Sequence, residues 1–154
     1  MSLAIEKLLA PRTRHPARPI GEEADQKLNI AVIFTSVEST LAALKEAGNL
    51  ANSLGAKITL VVPQVVPYPL PLETPPVLLE FNEHRFRVIA NESLVETSVQ
   101  IYLCRDRQAM LLRMLSPNSL VVIGGHKKWW PTTEKLTARR LRQAGHKVIF
   151  IERE

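Results

Sequence analysis

The chain has 154 residues and a mass of 17.3 kDa, the size of one domain that buries about two-thirds of the surface its unfolded form exposes. With 45% hydrophobic and 23% charged residues it has the composition of a globular protein, and with aromatics at 5% its core must be built from Leu, Ile, Val and Ala. The single cysteine, Cys104, excludes an intramolecular disulfide and a cysteine-rich zinc site, and no apolar run approaches the roughly 20 residues that span a bilayer.

The opening Met1-Ser2-Leu3-Ala4-Ile5-Glu6-Lys7 has no basic stretch leading into an apolar one, so a soluble, cytoplasmic chain is expected, with no membrane association. Residues 1–27 carry Pro11, Pro16 and Pro19 with Arg12, Arg14 and Arg18 between them, and read as a partly disordered N-terminal arm. A short helix from Leu3 to Ala10 could place Ile5, Leu8 and Leu9 on one face.

Residues 28–154 form the domain. The short apolar run Ile30 to Phe34 predicts a first strand covered on both faces. Glu38 to Leu54 predicts a helix through Ala43, Ala47, Leu50 and Leu54, closed by Gly55. The second strand runs from Lys57 to Val62 and stops at Pro63, the first of six prolines up to Pro76. Val77 to Ser93 predicts helix two, with Leu78, Phe81, Val88 and Ile89 on its buried face. Alternation at Val99, Ile101 and Leu103 predicts a half-buried third strand, after which Asp106 caps a helix ending near Leu115. A fourth strand (Leu120 to Ile123), a helix (Thr132 to Ala144) stopped by Gly145, and a fifth strand (Val148 to Ile151) complete the chain.

Strands and helices alternating at such short intervals define an α/β fold, a three-layer sandwich around a five-stranded, mostly parallel open sheet. Sheets of this type bind ligands beyond the C-terminal ends of their strands, where strand order reverses. The candidate ligand or anion site is therefore Thr35 and Ser36 after strand one, Gly124, Gly125, His126, Lys127 and Lys128 after strand four, and Thr132 and Thr133 at the start of helix four.

The series Ala43-Leu44, Ala47, Leu50-Ala51 and Leu54 to Val62 resembles the first helix and second strand of universal stress proteins. Leu120-Val121-Val122-Ile123-Gly124 is similar to that family's fourth strand, and Leu141 to Ala144 with Val148 to Ile151 to its last helix and strand. The resemblance implies strand order 3-2-1-4-5, an adenine-nucleotide alpha-hydrolase-like fold, and a homodimer paired through Val148, Ile149, Phe150 and Ile151. It also implies that ATP is lost as a cofactor. Thr35 stands where the family has an adenosine-side aspartate, and the family's glycine-rich phosphate loop is reduced here to Gly124 or Gly125. Glu134 and Lys135 fall where the closing glycine and hydroxyl residue belong.

Charge is concentrated downstream of that loop. Seven Lys and Arg against the single Glu134 give His126 to Lys147 a net +6, from a whole-chain total of +5. Lys135, Arg139 and Arg142 share a helix face at i, i+4 and i+7, suited to phosphates or an acidic partner, or to solvent alone. Trp129 and Trp130 stack on a base, plug a hydrophobic gap or join an interface. His15, His84, His126 and His146 have no paired metal-ligand spacing, Cys104 reads as a small core residue, and Ser36, Ser39 and Thr40 as helix caps.

No catalytic or metal-ligating constellation emerges, and an enzyme is not expected. The reading is a non-catalytic regulatory or binding module, dimeric, that contacts an anionic ligand or protein partner without ATP. One alternative is a nucleotide switch or weak ATPase with an altered phosphate loop. Another is a nucleic-acid binder acting through the basic helix 132–144.

Overall fold

In the computed structural model, which describes residues 28–73 and 79–153, the strand Asn29–Ile33 (β1) is buried along its whole length. Its alternate side chains feed two cores. Ile30 and Val32 face one side, against Ala43, Leu44, Ala47 and Ala51 of Val37–Leu54 (α1) and Phe86, Ile89 and Ala90 of Leu79–Ala90 (α2). Ala31 and Ile33 face the other, against Met110 and Leu111 of Arg107–Met114 (α3) and Ala138 and Leu141 of Thr133–Gln143 (α4). Burying each Leu or Ile of this kind contributes about 1.5–3 kcal/mol, and alanines on α1 let that helix lie close to the sheet.

The remaining strands are Lys57–Val65 (β2), Thr97–Cys104 (β3), Leu120–His126 (β4) and Lys147–Arg153 (β5), and the sheet order is β3-β2-β1-β4-β5. All four pairings are parallel. The α/β class and strand order are those expected, and the three layers follow from the two cores.

Helix boundaries are set by local chemistry. Ser36, Asp106 and Thr132 are the N-caps of α1, α3 and α4, each accepting from the N–H three residues on. Gly55 ends α1 at φ 67°, and Gly145 follows α4 at φ 100°, a backbone that a Cβ disfavours.

Besides β4, which runs past Ile123 to His126, two elements differ from the sequence expectation. First, β2 runs through Pro63 to Val65 instead of stopping at Val62. The Val61 carbonyl accepts from Phe34 N–H, so Pro63 turns its backbone to the same side, where β1 has already ended. No ladder bond is lost there, and β2 continues against β3 with Pro63 opposite Tyr102.

Second, α2 buries a face that only partly matches the expected one. Ile89 is buried as expected, but Phe81 and Val88 are exposed, and Asn82, Phe86 and Ala90 are buried in their place. Asn82 is carried inside because its Nδ2 donates to Gln64 Oε1 of β2 at 2.9 Å. The arm at 1–27, the expected helix at Leu3 to Ala10, and Val77 and Leu78 of the expected α2 lie outside the described residues. Among the described residues no helix is long and apolar enough to cross a membrane.

Candidate functional site

The point where strand order reverses lies between the C-terminal ends of β1 and β4. The expected glycine loop there is instead strand. β4 continues through Gly124, Gly125 and His126, in register with Ile151, Glu152 and Arg153 of β5. Lys127 N–H extends the pairing to the Arg153 carbonyl at 2.6 Å. Gly124 and Gly125 are buried within β4.

Close packing explains both glycines. A Cβ at Gly124 would stand 2.2 Å from the Ser39 carbonyl oxygen, and one at Gly125 would stand 2.7 Å from Phe150 Cζ. The first turn of α1 therefore rests directly on β4. Thr35 ties the same corner together, its Oγ1 donating to the Gly124 carbonyl at 2.9 Å while its N–H donates to Thr40 Oγ1 at 3.1 Å. Ser36 Oγ accepts from Ser39 N–H at 3.3 Å. Of the predicted site residues the structure thus joins Thr35 with Gly124, and it gives Thr35, Ser36 and both glycines structural contacts. Ser39 Oγ is buried without a hydrogen-bond partner.

The rest of the predicted site lies on a different surface. His126, Lys127 and Lys128 are exposed at the end of β4, Thr132 caps α4, and the Thr133 carbonyl accepts from Thr137 Oγ1 at 2.9 Å. Between them Trp129 is 92% and Trp130 48% exposed, so neither fills an interior gap. Their rings meet edge to face, with centroids 5.6 Å apart and an interplanar angle of 82°. Lys128 Nζ lies 5.1 Å from the Trp130 ring centroid.

This pair opens onto a groove of about 380 Å³ that also includes Lys135, Leu136, Arg139 and Arg142. Lys135 Nζ donates to the Lys128 carbonyl and pairs with Glu152 at 3.5 Å. Arg142 Nη2 donates to the Val148 carbonyl at 3.0 Å. Two of the three cations are therefore held in position against β5, while Arg139 stands exposed between them. The sequence pointed to these cations by their helical spacing; their joining with the tryptophans required the loop path, which no local signal specifies.

β5 is an edge strand of the sheet, with β3 at the opposite edge. Lys147 N–H and the Arg153 carbonyl bond toward β4, so Val148, Phe150 and Glu152 turn their backbone groups to the open edge. The side chains of Val148 and Phe150 pack into one core and that of Ile151 into the other, leaving Ile149 as the exposed apolar residue of the predicted interface. Ile149 also lines a hollow of about 320 Å³ with Leu50 of α1.

Other reactive groups have structural roles. Burial pushes the Cys104 thiol up to about 11, away from nucleophilic use, and raises the Tyr102 phenol further still. Arg105 donates to the Val66 and Leu70 carbonyls at 2.7 and 2.9 Å, fixing the proline-rich turn after β2. His146 is buried, its Nδ1 accepting from Ser119 N–H at 3.1 Å, and burial holds its pKa below the ordinary histidine value. Among the described residues no three His, Cys, Asp or Glu side chains group as metal ligands.

No protein-family model matches the chain, and no curated protein sequence matches it. Among solved structures it is similar to the Universal stress protein UspA from Lactobacillus plantarum, at 16% identity and a TM-score of 0.46, over 80% of this chain and 96% of that one. A likeness so distant transfers neither a site nor an activity, and function must be argued from the residues themselves.

Proposed function

We propose that this domain is a non-catalytic, universal-stress-like regulatory module that holds an anionic ligand or partner on the surface formed by residues 127–132 and α4, and that it assembles as a homodimer along β5. The observation that carries this reading is the exposure of Trp129 and Trp130 beside Lys135, Arg139 and Arg142. Large aromatics left in water next to several cations form a surface prepared for contact. ATP is not the ligand in this reading. A phosphate cradle needs backbone N–H groups turned toward the ligand, and those of Gly124 and Gly125 lie in a strand paired with β5. The dimer is supported by the outward backbone groups of Phe150 and Glu152 and by exposed Ile149, which an added strand would cover.

Calorimetric titration with Mg-ATP, inorganic phosphate and a polyanion such as heparin tests the binding face. The polyanion is expected to bind in a salt-sensitive manner, weakened by Arg139→Ala, with no saturable ATP binding. Micromolar Mg-ATP binding that survives both Arg139→Ala and Trp129→Ala would place the nucleotide in the crevice and overturn the reading. A monomeric mass by light scattering at about tens of micromolar would remove the dimer from it.

A further inference from the structure

We infer that the occupant of this face is single-stranded nucleic acid, with bases stacked on Trp129 and the sugar–phosphate strand tracking α4. The inference rests on the binding face proposed above and names its partner.

Charge and shape agree on this occupant. Lys135, Arg139 and Arg142 rise along α4 in steps of about 6 and 4.5 Å, a row of positive charge suited to successive phosphates rather than to one compact anion. The surrounding segment carries +6 while the rest of the chain carries −1, so attraction is focused here. Lys135 and Arg142 are braced by Glu152 and by the Val148 carbonyl, and a guanidinium spending one donor on a carbonyl keeps others for a phosphate.

The tryptophans decide between polyanions. An acidic peptide can satisfy the cations, but its carboxylates offer no flat π surface to an indole that is 92% exposed. A duplex keeps its base faces stacked on one another. A single strand brings both partners that the groove suits, phosphate charge for the cations and unpaired base faces for the indole. Trp130, in T-shaped contact with Trp129 and with the Lys128 ammonium 5.1 Å from its ring centroid, braces the stacking ring. The groove's polar side chains are cations suited to backbone phosphates, so binding should be tolerant of sequence.

Trp129 and Trp130 are the only tryptophans in the chain, so its intrinsic tryptophan emission reads this site alone. The full chain is titrated with a short oligothymidylate, a duplex of the same length, and poly-glutamate. Saturable quenching by the oligothymidylate is expected, with a log–log salt slope of about −2 for three phosphate contacts. The duplex and poly-glutamate should bind more weakly. By anisotropy of a labelled oligothymidylate, Trp129→Ala and Arg139→Ala should each lower affinity about tenfold, with thermal unfolding unchanged. Poly-glutamate or duplex binding as tight as the single strand, or single-strand binding indifferent to Trp129→Ala, overturns this inference and leaves the anion-binding module standing. Failure of all three polyanions and of heparin overturns both.

Discussion

Two neighbouring regions beyond the strand ends use their polar groups in opposite ways. At the corner between β1 and β4, Thr35, Ser36, Thr40 and Gly124 direct their polar groups at one another. On the 127–142 face, tryptophans and cations point outward. The first region has the topology of a ligand crevice, and the second has chemistry suited to a ligand. A strand-order reversal marks where a sheet can open, but a site exists there only if backbone and side-chain groups remain uncommitted. Here most are spent on fastening the start of α1 to β4, with Ser39 Oγ left buried and unpartnered.

The sharpest way to break the comparison is to wedge the corner. Gly124→Ala places a methyl group against the Ser39 backbone, which cannot move without shifting the first turn of α1. A loss of about 3 kcal/mol or more in urea unfolding is expected, at the upper end of overpacking costs. Gly125→Ala meets chiefly the Phe150 ring, a side chain that can turn aside, and should cost about 1–2 kcal/mol. Equal, small losses at both positions would mean that the corner is open.

The frame beneath the exposed face can be loosened with acid. His146 must be neutral for Nδ1 to accept from Ser119 N–H, the contact that joins the end of α4 to the start of β4. Its folded pKa lies below the unfolded value of about 6.5, so the unfolded chain takes up the proton first. The contribution is therefore intact above about pH 6.5 and is lost as pH falls through the lowered folded value. Leaving a buried N–H unpaired costs about 1–3 kcal/mol. Unfolding followed from pH 8 to 5 should show this decline, and His146→Gln should flatten that portion of the profile.

How much of this was legible in the sequence depends on the range of the interaction. The strand order came from the family resemblance, while runs such as Asn29–Ile33 and caps such as Ser36 and Asp106 announce their elements locally. Gly124-Gly125 reads as a loop by local preference, yet both lie in β4, because the need for glycine comes from Ser39 and Phe150, far away in the chain. Apolar counting likewise chose Phe81 and Val88 for the core, since nothing beside Asn82 reveals its bond to Gln64. Pro63 reads as a strand end because its tolerance depends on where β1 ends. The candidate site is half visible, since helical spacing marks its cations but no local signal fixes the exposure of its tryptophans.

Smaller changes at Thr35 probe how the corner is tied. Thr35→Val keeps the shape and removes the donor to Gly124 O, so about 1 kcal/mol should be lost in chemical denaturation. Thr35→Asp supplies the carboxylate expected of an adenosine contact, but an ionised carboxylate has no proton for the Gly124 carbonyl and repels it. Greater destabilisation than in Thr35→Val, with no gain of Mg-ATP binding by calorimetry, is the expected outcome. A gain of binding would show that one side chain, rather than the β4–β5 ladder, keeps nucleotide out.

The smallest expected effect on stability is also the most informative about the open face. Trp129 buries so little surface that Trp129→Ala gives up almost no folding free energy, and a change within about 0.5 kcal/mol is expected by urea unfolding. Arg139→Ala should behave alike, since an exposed cation contributes little to the fold. Replacing Arg139 even removes a cost, because clustered cations on α4 repel one another. Lowering the salt concentration strengthens that repulsion, so Arg139→Ala should be relatively more stable in dilute buffer than in high salt. A loss of 2 kcal/mol or more for Trp129→Ala would mean that the indole is buried in solution. It would then belong to the core or to a subunit contact, and the surface would no longer differ in kind from the sealed corner beside it.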